Sequence, residues 1–479
     1  MFGSPRARSL AALALLFLAA SALASPCWAI LPPLQVGAAV IDITPPEPYR
    51  MSGYFYERLS TGTHDPLYAR ALVLQQGELT TVLIVCDLIG VSRELTTEAR
   101  SQIAHKLSID EQHIVIAATH SHTGPLYGGV LLDWWKAKQA AAAEQVKPEL
   151  DYPKFLVEKL VQVASDAAQK LETTSIEYAT GHETSISFNR RFVMQDGSVR
   201  FNPGKLNPQI VRVAGPIDPD VGVVLFKTGD KVAASLVNFA LHLDTVGGTE
   251  FSADYPKYLH DAIAAKLGNQ CTSIFGLGCC GDINHIDVSH NRPQKGQEEA
   301  ARIGAQLASA VTKGLEKTET RMGAQLAASM RVVEVPVQVY SEEQLAKAKS
   351  QLALVGTKEL GFLEQVEATK IVDLAARYQG KPLPVRLNCI ALSRDVAIVC
   401  LPGEVFTELG LAIKEKSPFK QTLVLELCND APAYIPTKKA FVEGSYEVVN
   451  SRVASGGGEL LVESAVEMLL SLHQAAGAR

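Results

Sequence analysis

The sequence predicts an α/β fold of mixed sheets with flanking helices. Three observations carry that prediction. Apolar runs rich in β-branched residues alternate with segments of helical spacing, as in Thr81–Cys86, Glu94–Leu107 and Ile114–Ala118. Several of the apolar runs stop at a polar residue: Asp87, His120, His242, Asp282 and Glu404. The 479 residues are 47% hydrophobic, 20% charged and 6% aromatic, the balance of a soluble globular chain long enough for one large domain or two to three smaller ones.

Gln35–Asp42 reads as a strand stopped by Ile43-Thr44-Pro45-Pro46, and Ala71–Leu74 and Thr81–Cys86 read as two more. The helix Glu94–Leu107 and a turn at Asp110-Glu111 lead into the Ile114 strand. Trp134 to about Glu149 is Lys/Ala/Gln-rich and reads as an exposed helical insertion; Phe155–Leu171 is a stronger helix. Residues 189–204 read as a loop with a turn at Asp196-Gly197. Val221–Phe226 and Val232–Leu241 are strands about a Gly229-Asp230 turn. Asp254 before Tyr255-Pro256 is a helix start, with the carboxylate as cap and proline in the first turn. Ser273–Leu277 is a strand that breaks at Gly278-Cys279-Cys280-Gly281-Asp282. Glu298–Leu315 is an amphipathic helix, and Ser341–Tyr378 is mostly helical. Val385–Leu392, Val396–Leu401 and Leu423–Leu427 are strands, and Glu459–Leu472 is a closing helix. With no repeat, low-complexity linker or clear boundary, one continuous domain is the simplest reading, with two lobes meeting near residue 215 as a variant of it.

Charge excludes some functions. The net charge of −6 and the absence of a long basic run leave no footprint for nucleic acid. The N-terminus reads as a secretion signal over residues 1–24: Arg6 and Arg8 precede the apolar Leu10–Leu23, and Ala22-Leu23-Ala24 fits a cleavage site, with Ala29 a later alternative. The apolar run is short for a retained anchor, and Pro26 argues against lipid attachment at Cys27. The expectation is an exported protein, periplasmic or extracellular. Eight cysteines are too sparse for a disulfide scaffold. Cys86 and Cys400 read as buried thiols, and a bond from Cys271 to Cys279 or Cys280 stays open.

The segment Thr119-His120-Ser121-His122-Thr123-Gly124-Pro125 is the most informative. A buried strand delivers two histidines to the same side of an extended segment. In α/β sheets ligands bind at the carboxyl ends of strands. Two histidines and a carboxylate, as in His120, His242 and Glu404, are a usual protein ligand set for a catalytic zinc. Zinc would lower the pKa of a bound water and polarise a carbonyl. The bland alternative is that each of these residues is a satisfied core or surface side chain.

These motifs, in this order, resemble the catalytic domain of the neutral/alkaline non-lysosomal ceramidases. Gly37–Pro46 opens the resemblance, which runs to about Ser451. Thr119–Pro125 is similar to the family's T-H-T-H-x-x-P segment, Asn238–His242 to its second histidine strand, Pro402-Gly403-Glu404 to its carboxylate turn, and Leu427-Cys428-Asn429 with Tyr434 to its late tyrosine segment. The resemblance implies a catalytic domain over 35–475 and one Zn2+ per chain, held by His120, His242, Glu404 and Tyr434. It implies that His122 faces the substrate, as an oxyanion donor or proton shuttle, and that Arg190 contacts it, with Arg191 one register away.

Two departures matter. The family pattern N-x-G-D-V-S-P-N becomes Gly281-Asp282-Ile283-Asn284-His285-Ile286, with Asn284 at the serine position and His285 at the proline. An amide cannot be a nucleophile, but water on zinc needs none, and Asn284 can donate to an oxyanion. The family's C-terminal immunoglobulin-like domain is also not expected in a sequence closing at Arg479. Three readings follow: a zinc-dependent hydrolase of the amide bond of a ceramide-like N-acyl lipid, a zinc hydrolase of a small non-sphingolipid amide or ester, and a non-catalytic binding protein that kept the metal. The intact ligand set speaks against the third. The partner is a small-molecule or lipid substrate; no protein partner is inferred. Trp134 and Trp135 either pack the insertion onto the domain, the favoured reading, or make transient contact with a membrane surface.

Overall fold

The computed structural model describes residues 31–141, 150–322 and 324–477. The segment expected to be a secretion signal and residues 142–149 of the insertion lie outside them. Three main sheets form the fold. The first runs in the order Ile114–Ala118, Leu79–Cys86, Tyr68–Gln76, Gln35–Asp42, Glu172–Thr173. The second runs Thr272–Leu277, Lys231–Phe239, Asp220–Thr228, Ser175–His182, Glu319–Met322. The third runs Ala327–Val335, Leu383–Ala391, Val396–Cys400, Gln421–Leu425.

Each of these sheets has one parallel pair, at an edge: Leu79–Cys86 with Ile114–Ala118, Lys231–Phe239 with Thr272–Leu277, and Val396–Cys400 with Gln421–Leu425. Parallel neighbours need a crossover, and each pair has one helix for it: Arg93–Leu107, Tyr255–Leu267 and Thr407–Lys416. The chain therefore holds three βαβ units, one per sheet. Their carboxyl ends are laced together by backbone hydrogen bonds. The N–H of Ala118 donates to the Leu427 carbonyl at 3.2 Å, that of Asn429 to Ile116 at 2.7 Å, that of Glu426 to Leu277 at 3.0 Å and that of Gly281 to Val405 at 2.9 Å.

The central core is shared by all three sheets: Leu83, Val85 and Val115 from the first, Val224, Leu236 and Ile274 from the second, and Ile398, Leu423 and Leu425 from the third. Their continuous apolar runs are what strands buried on both faces require. Helices cover the outer faces. Tyr152–Ala168 turns Leu156, Leu160 and Val163 inward, and Gln297–Leu315 turns Ile303, Leu307 and Val311 inward. Asp254 caps its helix as expected, accepting from the Tyr255 N–H at 2.6 Å.

One expectation is corrected, one strand was missed and one helix starts earlier than expected. Residues 189–204 are not a loop: Arg191–Met194 and Val199–Phe201 pair as an antiparallel hairpin, with Gly197 at the turn in a left-handed conformation. Ala327–Val335, a nine-residue strand, was not legible as one, because it pairs along one side only and keeps few buried positions. The insertion helix begins at Val130 rather than Trp134, and Trp135 is buried, in line with the favoured packing reading. Cys86, Cys271, Cys279, Cys280, Cys389, Cys400 and Cys428 are free buried thiols, so the open Cys271 pairing is not made. No helix among the described residues is long and apolar enough to cross a membrane.

Candidate metal centre and active site

The three βαβ units place their loops around one point. The first supplies His120 and His122, the second His242, and the third Glu404, paired in a short parallel ladder with Tyr434. The Nε2 atoms of the three histidines converge: His120 to His242 at 3.0 Å, His122 to His242 at 3.1 Å, His122 to His120 at 3.3 Å. Nitrogens about 2.0–2.1 Å from a tetrahedral ion stand about 3.3 Å apart. The spacing therefore fits a metal. Among the described residues this trio is the group whose ligand atoms lie within 4.8 Å of one another.

His120 is held hardest. It takes a left-handed backbone (φ 78°), its N–H donates to the Leu88 carbonyl at 2.8 Å, and its Nδ1 donates to the Ile89 carbonyl at 2.6 Å. A backbone carbonyl can only accept, so the proton sits on Nδ1 and the Nε2 lone pair faces the cluster, the second bond that metal-binding histidines commonly make. Nδ1 of His122 and of His242 is buried without such a partner. Glu404 lies beside His120, its Oε2 3.4 Å from His120 Nε2 and without a hydrogen-bond donor. A buried carboxylate oxygen lacking a donor is costly unless a cation fills the gap. Burial works against its charge, but His120 and a hydrogen bond from Tyr434 hold the carboxyl below its usual range. Burial, reinforced by His120, pushes the His122 imidazole down to about 3, so it is neutral at pH 7.

Glycines permit this close approach. A Cβ on Gly281 would lie 2.5 Å from the Glu404 carbonyl oxygen, and one on Gly53 2.6 Å from the His122 carbonyl oxygen. The cleft above the histidines has a volume of about 400 Å³. His122, His242, Arg190 and Tyr434 all line it, and its walls are mainly aromatic, with Tyr54, Phe55, Phe201, Phe362 and Tyr446.

Arg190 lines the cleft and Arg191 does not. Arg190 Nε donates to Glu447 at 2.9 Å and its Nη2 to the Gly281 carbonyl at 2.8 Å, and the guanidinium lies 5.3 Å from the Tyr434 ring centre. Arg191 turns away to Glu443 and the other Glu447 oxygen. Arg190 thus ties Glu447 to the Gly281 loop beside Tyr434 as well as lining the cleft. Asn284 is buried behind the cleft wall, bonded to Asn202 and to Ile286, and does not line it.

Of the other strand-end carboxylates, neither joins the cluster. Asp87 accepts from Arg70 at 2.7 Å and from the Tyr68 N–H at 2.9 Å. Asp282 accepts from Asn189 at 2.7 Å and from the Thr407 N–H at 2.8 Å. Both are framework. Asp244 was missed, although His242-Leu243-Asp244 repeats the two-residue spacing of His120 and His122 and lands on the cleft wall. Its Oδ1 lies 3.2 Å from His285 Nδ1, while His285 Nε2 donates to the Gln294 carbonyl at 2.6 Å. Burial opposes charge on Asp244, but His285 and the site histidines hold it well below the carboxylate range. Burial likewise disfavours a charged His285, and Asp244 raises its pKa in spite of it.

Comparison with known proteins agrees with this geometry. Residues 34–246 match the family described as neutral/alkaline non-lysosomal ceramidase, N-terminal. That span, a little under half of the chain, is similar to the family. The match covers the first βαβ unit and the first strand of the second, with all three histidines. The solved neutral ceramidase from Pseudomonas aeruginosa superposes with a TM-score of 0.71 at 16% identity, covering 92% of this chain and 75% of that one. A second structure, described as ceramidase complexed with C2, gives 0.69 at 14% identity, covering 92% and 76%. The ceramidase-like fold therefore extends past the matched span to the Glu404 and Tyr434 loops. No curated protein matches the chain.

Proposed function

We propose that the protein is a zinc-dependent hydrolase of an amide bond, acting on a ceramide-like N-acyl compound. The observation that carries this is the convergence of three histidine Nε2 atoms beside the donor-less Oε2 of Glu404, at the floor of an aromatic cleft. His120 and His242 would hold the ion, with Glu404 and Tyr434 completing its surroundings. A bound zinc supplies a Lewis acid for the carbonyl and a water made acidic enough to react near neutral pH.

The chain's own residues do the rest. His122, neutral and lining the cleft, donates an N–H to the carbonyl oxygen as charge develops there, or carries the proton to the leaving amine. Arg190 and Glu447 fix Tyr434 and the Gly281 loop, so the polar floor does not move as the substrate enters. The aromatic rings take the apolar part of the substrate and exclude water. A second reading, His122 as a third metal ligand, is favoured by its 3.1 Å and 3.3 Å separations from the other two histidines.

The second substrate class, a small amide or ester, draws on two features: the 400 Å³ cleft is in the range that suits compact ligands, and Asn284 replaces the family serine. We place the mature protein outside the cytoplasm, on its N-terminal signal pattern, with lipid or small-molecule substrate as its partner. Attack by water rather than by a side chain is the expected chemistry, because an amide at position 284 cannot form an acyl-enzyme. Single-turnover hydrolysis in ¹⁸O-labelled water checks it. Label in the acid product of the first turnover is the expected result; an unlabelled first product would mean a protein nucleophile.

A further inference from the structure

The hydrogen bonds behind the cleft wall fix which way one amide on the rim faces. Asn284 Oδ1 accepts from the Ile286 backbone N–H at 3.0 Å. A backbone N–H can only donate, so the Asn284 amide cannot be turned over, and its Nδ2 must face Asn202. That nitrogen donates to Asn202 Oδ1 at 2.8 Å. The orientation of Asn202 is thereby set as well: its oxygen faces inward, and its Nδ2 has no hydrogen-bond partner among the described residues. Asn202 itself is exposed and lines the cleft together with His122, Arg190 and His242. Its backbone is pinned by its N–H to the Arg190 carbonyl at 2.9 Å and by a left-handed φ of 43°, a conformation asparagine tolerates better than most residues.

We infer that Asn202 Nδ2 is a substrate-binding hydrogen-bond donor, oriented by Asn284, that selects amides carrying an oxygen acceptor near the scissile bond. The inference rests on the hydrolase reading for the word substrate, but the donor can be tested by binding alone. Asn284 is a positioning residue in this arrangement. A serine at 284, whose hydroxyl can both donate and accept, would leave the polarity of Asn202 unset. Asparagine at 284 fixes it.

Two isosteric amides separate an acceptor from its absence: N-hexanoyl-2-methoxyethylamine and N-hexanoylbutylamine, which differ by an ether oxygen that can only accept. Calorimetric affinities for both are compared in the wild type, Asn202→Gly and Asn284→Asp. Glycine suits the left-handed backbone, so Asn202→Gly removes the amide without strain. The aspartate can only accept, so it turns the Asn202 amide over and presents its oxygen to the cleft. The expected result is that the ether-to-alkyl affinity ratio falls about threefold to tenfold in each variant, the worth of one neutral hydrogen bond, and no further in the double variant. An unchanged ratio in Asn202→Gly, or no binding of either amide to the wild type, overturns the inference. A wild type that prefers the ether but cleaves neither amide keeps the donor and removes the hydrolase reading. One that cleaves both, with the same ratio as Asn202→Gly, does the reverse.

Discussion

His242→Ala leaves the protein without most of its metal and lowers amide turnover by about a thousandfold or more. His242 closes the strand Lys231–Phe239 and brings the nitrogen that lies nearest to both other histidines, 3.0 Å from His120 and 3.1 Å from His122. Without it the second βαβ unit has no ligand in the trio. A Lewis acid at a carbonyl is worth several kcal/mol of transition-state stabilisation, and about 4 kcal/mol is a thousandfold in rate. His120→Ala should behave alike, since it removes the one histidine whose tautomer is locked by a backbone carbonyl. Zinc content per chain and turnover of the purified variants are the measurements. Full zinc retained in both variants would refute the assignment of the ligands.

His122→Ala keeps the metal and loses turnover by about 10²-fold or more, the usual effect of removing an acid–base or oxyanion group. His122 lines the cleft, with its ring edge-on to Tyr54 at 5.8 Å, whereas His120 is withdrawn from the cleft onto Ile89. The Arg58 guanidinium holds the His122 carbonyl at 2.8 Å and stacks over Tyr54, so the loop should keep its shape without the imidazole. Zinc content decides between the two roles. Metal lost together with turnover would put His122 among the ligands.

Much of the site could be read from strand ends. A buried strand must stop where it meets polar chemistry, so His120, His242 and Glu404 stand out as breaks in apolar runs, and the structure brings them to one floor. Asp87 and Asp282 show the same break for a different reason: each ties down backbone and a neighbouring side chain at the base of the βαβ units. Strand-end polarity alone does not separate the two uses. The convergence itself was not legible, because it depends on three sheets meeting through hydrogen bonds between segments hundreds of residues apart, such as Asn429 to Ile116. Nor was the commitment of Asn284. The residue type suggested an oxyanion donor, but the Ile286 N–H and Asn202 consume both ends of its amide. The Arg190–Glu447 pair escaped notice because the glutamate lies on Tyr446–Asn450, a short helix far along the chain.

Metal removal and return tests the central claim most directly. Protein dialysed against a chelator and then titrated with zinc should regain hydrolysis of an N-acyl amide in proportion to bound ion, reaching full rate at one zinc per chain, while the apo protein stays folded by circular dichroism. Undiminished amide hydrolysis by folded, metal-free protein would contradict the account.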